Sequence, residues 1–164
     1  MRRLALLLAA GLALSGCGLR PLYADGNKGA AASMLSQISI APISGRDGWL
    51  VRTALVDRIG DHGDSARYRL EVKLDDQIQG LGLRSDATTT RERRTLRARY
   101  KLVDTVENRL VVDTTAGSDV GIDIVNSEYA TVAAEQTALE RLAERVADQI
   151  VTRIATGADK AGAK

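Results

Sequence analysis

Hydrophobic and polar positions alternate over two long stretches of this chain. Tyr68, Leu70, Val72 and Leu74 share one parity, and Arg69, Glu71 and Lys73 share the other. That period of two marks a strand with one buried and one wet face. The same pattern returns with Leu96, Ala98, Tyr100 and Leu102 inward and Thr95, Arg97, Arg99 and Lys101 outward. Asp104–Asn108 reads as a hairpin turn, and Arg109 to about Thr115 returns as a third long strand, with a continuation to Val120 past Gly117. Val111 and Val112 are adjacent there, so the facing of that strand is ambiguous. A shorter strand precedes these: Ile38 and Ile40 alternate with Ser39 and Ala41, and Pro42 ends it or places it at an edge.

Two stretches follow the helical period instead. Leu50, Val51, Ala54, Leu55 and Ile59 predict a helix that Asp47 can cap and Gly60 can end, with Gly60–Ser65 as a polar loop behind it. Val132, Leu139, Leu142, Val146, Ile150 and Ile154 form one stripe of a long helix from about Ser127 to Ala155. Ser127 or Asn126 would cap it and Gly157 would close it. The polar, glycine-bearing stretch from Asp75 to Ser85 predicts a bend between strands. The order is β-α-β-β-β-α. An amphipathic helix and a half-wet sheet each have one face to bury. The pattern therefore predicts an α+β fold with two helices packed on one face of a four-stranded mixed β-sheet. A helical connection makes the first two strands parallel if they are neighbours.

The start of the chain differs. After Arg2 and Arg3 an unbroken apolar run, Leu4–Leu14, leads to Ser15-Gly16-Cys17. The run is shorter than the about 20 residues a membrane span needs, and its layout is that of a secretory signal. Leu14-Ser15-Gly16-Cys17 resembles a bacterial lipobox, in which the leader is cut before the cysteine and the thiol takes a diacylglycerol. Cys17 is the only cysteine, so it has no disulfide partner. The expected organisation is a signal peptide over 1–16, cut between Gly16 and Cys17, then a lipidated tether over 17–36. One domain over 37–156 and a disordered tail over 157–164 complete it. No cofactor is expected beyond the diacylglycerol and N-acyl lipid on Cys17.

Composition adds two constraints. The chain has 23 Lys+Arg and 21 Asp+Glu, and removing Arg2 and Arg3 with the leader leaves 21 of each. A neutral mature domain gives no argument for nucleic-acid binding. With no Phe, one Trp and four Tyr, the core is expected to be aliphatic.

Catalytic chemistry is sparse. His62 is the single histidine, in Asp61-His62-Gly63-Asp64, and one imidazole on a glycine-bearing loop is a weak start for a metal site. Asp75-Asp76 reads as turn chemistry. No nucleophile elbow or phosphate loop is present, and no enzyme is expected. The unusual feature is basic: Arg91, Arg93, Arg97, Arg99 and Lys101 fall on one parity, with Arg94 off it. Such a row suits anionic headgroups, because guanidinium makes paired bonds to phosphate; equally it suits a solvated face whose charges discourage edge pairing.

In order along the chain, several short motifs resemble the LptE family. They are Cys17-Gly18-Leu19-Arg20-Pro21-Leu22-Tyr23, Ile38 to Ile43 with Pro42, Tyr68-Arg69-Leu70-Glu71-Val72, Ala98-Arg99-Tyr100-Lys101-Leu102, and Ser127-Glu128-Tyr129-Ala130 opening the last helix. Leu19 stands where Phe is common in the family. The resemblance implies a non-enzymatic outer-membrane lipoprotein on the periplasmic side. Such a protein plugs and helps assemble the β-barrel LptD and assists lipopolysaccharide insertion in the outer leaflet. On that reading the row at 91, 93, 97, 99 and 101 is a candidate contact for lipopolysaccharide or the barrel. The alternative is a stand-alone lipid-anchored periplasmic ligand-binding lipoprotein, or an auxiliary subunit of an inner-membrane transporter.

Overall fold

The computed structural model describes residues 30–83, 89–125 and 127–162. The expected leader, the lipobox with Gly16 and Cys17, and the turn near Ser85 lie outside the described residues. Four strands, β1 (Ile38–Ile40), β2 (Tyr68–Leu83), β3 (Thr89–Asp104) and β4 (Arg109–Asp123), form one sheet in sequence order. β1 runs parallel to β2, as its helical connection requires, and the other pairs are antiparallel. Helices α1 (Ala30–Leu35), α2 (Gly45–Ile59) and α3 (Glu128–Gly162) complete the fold, with a short 3-10 turn at Gly63–Ser65. The α+β class and the β-α-β-β-β-α order are those the pattern predicts.

The core lies between the helices and one sheet face. Ile38 and Ile40, Leu70 and Val72, and Leu96, Ala98, Tyr100 and Leu102 are buried beneath α2 and α3. From α2 come Val51, Ala54, Leu55 and Ile59; from α3 come Leu142, Val146, Ile150 and Ile154. Burying one such side chain stabilises the fold by about 1.5–3 kcal/mol. Gly60 ends α2 with φ 75°, a left-handed conformation that suits glycine, and donates its N–H to Val56. The Ser127 hydroxyl accepts the Ala130 N–H at 3.4 Å and caps α3.

Several boundaries differ from the pattern. The segment expected to be tether ends in α1, whose Ala31 and Leu35 are buried against the core. Its run of small residues carried no visible period because alanine fills both faces of a short helix. Gly157 does not close α3, which continues to Gly162; Ala158 still packs inward, and that burial outweighs the modest cost of one exposed helical glycine. The bend expected over Asp75–Ser85 does not begin at Asp75, and the end of that stretch, from residue 84, lies outside the described residues. β2 runs straight through to Leu83 in unbroken register with β3, because Asp76 has a partner described below. Val132, placed on the apolar stripe, is 45% exposed: near the start of α3 the sheet presents Asp76 and Arg94 in place of apolar side chains. The facing of Val111 and Val112 is resolved by a bulge. Leu102 pairs with Val112 but Val103 with Leu110, so Val111 is the extra residue, and both valines pack partly against the core.

The β3–β4 hairpin turns on Asp104, which is fully buried. One carboxylate oxygen accepts the N–H groups of Val106 and Glu107 at 3.0 and 3.1 Å. The other accepts Arg67 Nε at 2.9 Å. Asn108, with φ 48°, supplies the left-handed residue that closes the turn. The Arg67 hydrogen bond, aided by the two backbone donors, holds the Asp104 carboxyl below its usual value. A depressed folded value stabilises the protein above the unfolded aspartate value of about 3.9 and is lost as pH falls through the folded value. Asp104→Asn keeps the backbone contacts but loses the charge. The variant should therefore unfold at lower urea than the wild type at pH 7, with the gap narrowing towards pH 3. A gap that stays constant over that range would show that the fold does not hold the Asp104 carboxyl below its unfolded value.

Candidate functional site: the charged outer face of the sheet

Because side chains alternate across a strand, burying the even positions of β3 sends the odd ones to the opposite face. Arg91, Arg93, Arg97, Arg99 and Lys101 all lie there, side by side and exposed. The structure brings the predicted row together. Arg94, the even member, points inward. Its guanidinium grips Asp76, with Nε at 2.9 Å from one carboxylate oxygen and Nη2 at 2.5 Å from the other, and donates Nη1 to the Glu135 carbonyl of α3 at 2.7 Å. This clamp ties sheet to helix and lets a polar pair occupy the inner face.

The row is not a bare basic surface. β4 carries aspartates of the same outward parity, set opposite the arginines by the register Arg91↔Asp123, Thr95↔Asp119 and Lys101↔Asp113. Arg91 pairs with Asp123 at 3.2 Å and Arg93 with Asp119 at 3.7 Å. Arg99 holds both oxygens of Asp113 at 3.1 and 3.0 Å. That bidentate bond, less the cost of partial burial, draws the Asp113 carboxyl below its usual value. On the β2 side Arg69 and Glu71 pair at 3.0 Å. Among the described residues, Arg97, Lys101 and Lys73 have no ion-pair partner. Arg97 runs across Gly117, where a Cβ would come within 3.3 Å of its Cγ.

The free cations flank two depressions. A groove of about 730 Å³ over β1, β2 and β3 is lined by Arg69, Glu71, Lys73, Arg99 and Lys101, with Ser39, Pro42 and Asp61 at its rim. A smaller hollow of about 410 Å³ lies between Gln77, Gln79, Arg93, Arg97 and Asp119. The arrangement offers ionic and hydrogen-bonding contacts to anionic groups. Among the described residues no cluster of three His, Cys, Asp or Glu has the spacing to hold a metal ion. The exposed His62 contacts the Ile38 carbonyl at 3.3 Å, and its neighbour Asp61 pairs with Arg52.

The basic row was visible in the sequence as a parity. Its counter-charges are legible only with the hairpin: Asp113, Asp119 and Asp123 also share one parity, and β4 places them opposite. Parity alone gives Lys73 a wet face and no partner or role. The two classes of arginine separate in stability. Arg94→Ser strands the Asp76 carboxylate and the Glu135 carbonyl and should cost about 1–3 kcal/mol. Arg93→Ser, on the exposed row, should change stability by no more than about 0.5 kcal/mol. Urea unfolding of both variants checks this; equal losses would remove the distinction between clamp and row.

The comparisons with known proteins agree with this architecture. No helix among the described residues is long and apolar enough to cross a membrane. No curated protein matches the chain. A crystal structure from Caulobacter crescentus CB15, of a protein described as a lipoprotein, superposes with a TM-score of 0.66 at 28% identity, covering 81% of this chain and 98% of its own. The minor lipoprotein from Acinetobacter baumannii has the same fold at 14% identity and a TM-score of 0.58, over 74% of this chain and 92% of its own. The rare lipoprotein B from Shewanella oneidensis does so at 16% and 0.54, over 73% and 94%. The family model described as LptE, lipopolysaccharide-assembly, matches residues 35–154, from the end of α1 to the last buried turns of α3, and the chain belongs to that family.

Proposed function

We propose that this protein is the lipid-anchored subunit that plugs the β-barrel lipopolysaccharide translocon LptD from within and assists delivery of lipopolysaccharide to the outer leaflet. Membership of the lipopolysaccharide-assembly family supports a role in that process. The observation that carries the finer reading is the charge-compensated outer face of the sheet. Cross-strand Arg–Asp pairs make it polar along its length, a surface suited to the water-lined interior of a large barrel. The main groove mixes charged side chains with Ile40, Ala41, Pro42 and Val72, where the pocket of a small-molecule carrier is mostly apolar. Cys17, after Ser15-Gly16, would take the lipid and hold the protein on the periplasmic side of the outer membrane.

Affinity purification of the native protein from outer membranes tests the partner: one barrel protein should co-purify at equal stoichiometry. Recovery of the protein alone, or with an inner-membrane transporter, defeats the reading. Cys17→Ser should leave the chain unprocessed or in the aqueous phase on detergent partitioning, and an unchanged partition would rule out the anchor.

The candidate contacts for lipopolysaccharide on this reading are the unpaired cations. The triple change of Lys73, Arg97 and Lys101 to Ser should weaken binding several-fold and flatten its dependence on salt. The control changes Arg52 and Arg58 to Ser; these pair with Asp61 and Asp148 and should have little effect. Binding titrations at low and high ionic strength decide. Equal behaviour of triple and control variants would make the row a partner-facing or solvated surface.

A further inference from the structure

We infer that the open edge of β2, from Leu74 to Gly80, takes an extended segment of the barrel partner by strand addition. The two edges of the sheet are treated differently. β4 is closed by α3: the Gln149 amide donates to the Gly117 carbonyl and accepts its N–H, both at 3.2 Å, and Arg153 donates to the Thr115 carbonyl. Among the described residues β2 has no such cover. It is 16 residues long, and β1 pairs only with Tyr68–Leu70. The Tyr68 N–H donates to Gln37, and the Leu70 carbonyl accepts from Ala41, each at 2.9 Å. The even residues of β2 therefore face the β1 side.

Register with β3 is constant from Tyr68 to Leu83, so that parity holds to the end. Leu74, Asp76, Ile78 and Gly80 then turn their N–H and C=O groups to the open edge. Among the described residues nothing bonds to them, and residues 77–80 are exposed. Donors and acceptors repeating every two residues, about 6.8 Å apart, match an extended polypeptide and no small ligand. The usual defences of an edge thin out towards its far end: Lys73, Asp75 and the inward Asp76 carry charge at the start, but from Gln77 to Gly80 there is no charge, proline or bulge. Ile78, 42% exposed on the inner side, offers an apolar anchor. The outer neighbours Lys73, Asp75, Gln77 and Gln79 call for polar side chains on the other face of the incoming strand.

This inference rests on the barrel reading, and the experiment separates the two. Hydrogen exchange by mass spectrometry is measured across residues 73–81 in the full-length chain alone and in the complex purified from outer membrane. The amides of the even residues in this region should exchange freely in the chain alone and be slowed roughly tenfold or more in the complex, whereas the odd ones are held by the β3 ladder in both. Ile78→Pro removes one N–H that faces the open edge and leaves the ladder to β3 intact. It should lower barrel recovery roughly tenfold, the effect of about 1.4 kcal/mol, while Ile78→Thr, which keeps the N–H, should recover most of it. Urea unfolding confirms that the proline variant folds; should it not, the exchange measurement stands without it. Barrel recovered with residues 73–81 equally exposed in both states overturns strand addition alone. Protection of the even amides already present in the chain alone, with or without a dimer in sedimentation, shows that the chain's own segment or a second copy fills the edge, and also overturns it. No barrel recovered at all removes both readings.

Discussion

The constraint on which the rest of this molecule depends is the burial of one parity of β3 beneath α3. Leu96, Ala98, Tyr100 and Leu102 are all fully buried. Their partners on α3 recur at helical spacing from Leu139 to Ile154. Once the even positions are committed to the core, a slip of one residue would bury Arg97, Arg99 and Lys101 and expose the four apolar side chains. Register is therefore fixed by the hydrophobic term, and the basic row follows from it with no freedom left. Buried, unpaired guanidinium would cost far more than the contacts it replaced. The Tyr100 hydroxyl is the compromise within this core: among the described residues no well-placed hydrogen-bond partner reaches it, and desolvation raises its pKa against the opposing pull of Arg153.

From that register the charge pattern propagates sideways. Hairpin closure at Asp104–Asn108 sets β4 opposite β3, and the bulge at Val111 shifts the count by one residue. The shift puts Lys101 against Asp113 and Arg91 against Asp123, so acid meets base across the outer face. Exposed pairs of this kind contribute little stability each. Their effect is on the surface: they leave a largely compensated plate on which, among the described residues, Arg97, Lys101 and Lys73 make no ion pair. The same sheet is asymmetric at its edges because α3, 35 residues long, runs back along β4. The chain instead leaves β1 at Ala41–Pro42 and turns at once into α2. Gly48 permits that close turn, since a Cβ there would come within 2.7 Å of the Ile43 carbonyl.

Much of this was legible in the sequence because alternation and helical period report burial directly. Tyr68–Leu74 and Leu96–Leu102 each showed one inward parity, and the parallel pairing of β1 with β2 followed from the intervening helix. The misreadings came from residues whose local preference is overruled by a distant partner. Asp76 looks like a turn residue until Arg94, eighteen residues on, is placed beside it. The alanines of α1 look like tether until α3 is there to receive Ala31 and Leu35. Gly157 looks like a stop until the buried Ala158 holds the helix past it. At the site, the face of each arginine followed from parity alone. Which arginines keep a free charge did not, because that depends on a one-residue bulge between adjacent valines.

If the outer face hands lipopolysaccharide onward as proposed, it has to bind a polyanion without keeping it, and the arrangement of charge there bears on that requirement. Five unpaired cations in a row would hold several phosphates at once, with an affinity compounded by effective concentration. Three of the five are engaged by aspartates that a phosphate would have to displace. Arg97 and Lys101 remain, with Lys73 beside them in the groove. An anionic headgroup then meets a few separated contacts, each screened by salt and each flanked by a carboxylate that repels it. Such multi-site, weak contact is what passage needs, since a site must be favourable enough to enter and weak enough to leave. The compensating aspartates are on this view as much a part of the site as the arginines, because they set how long an anion stays.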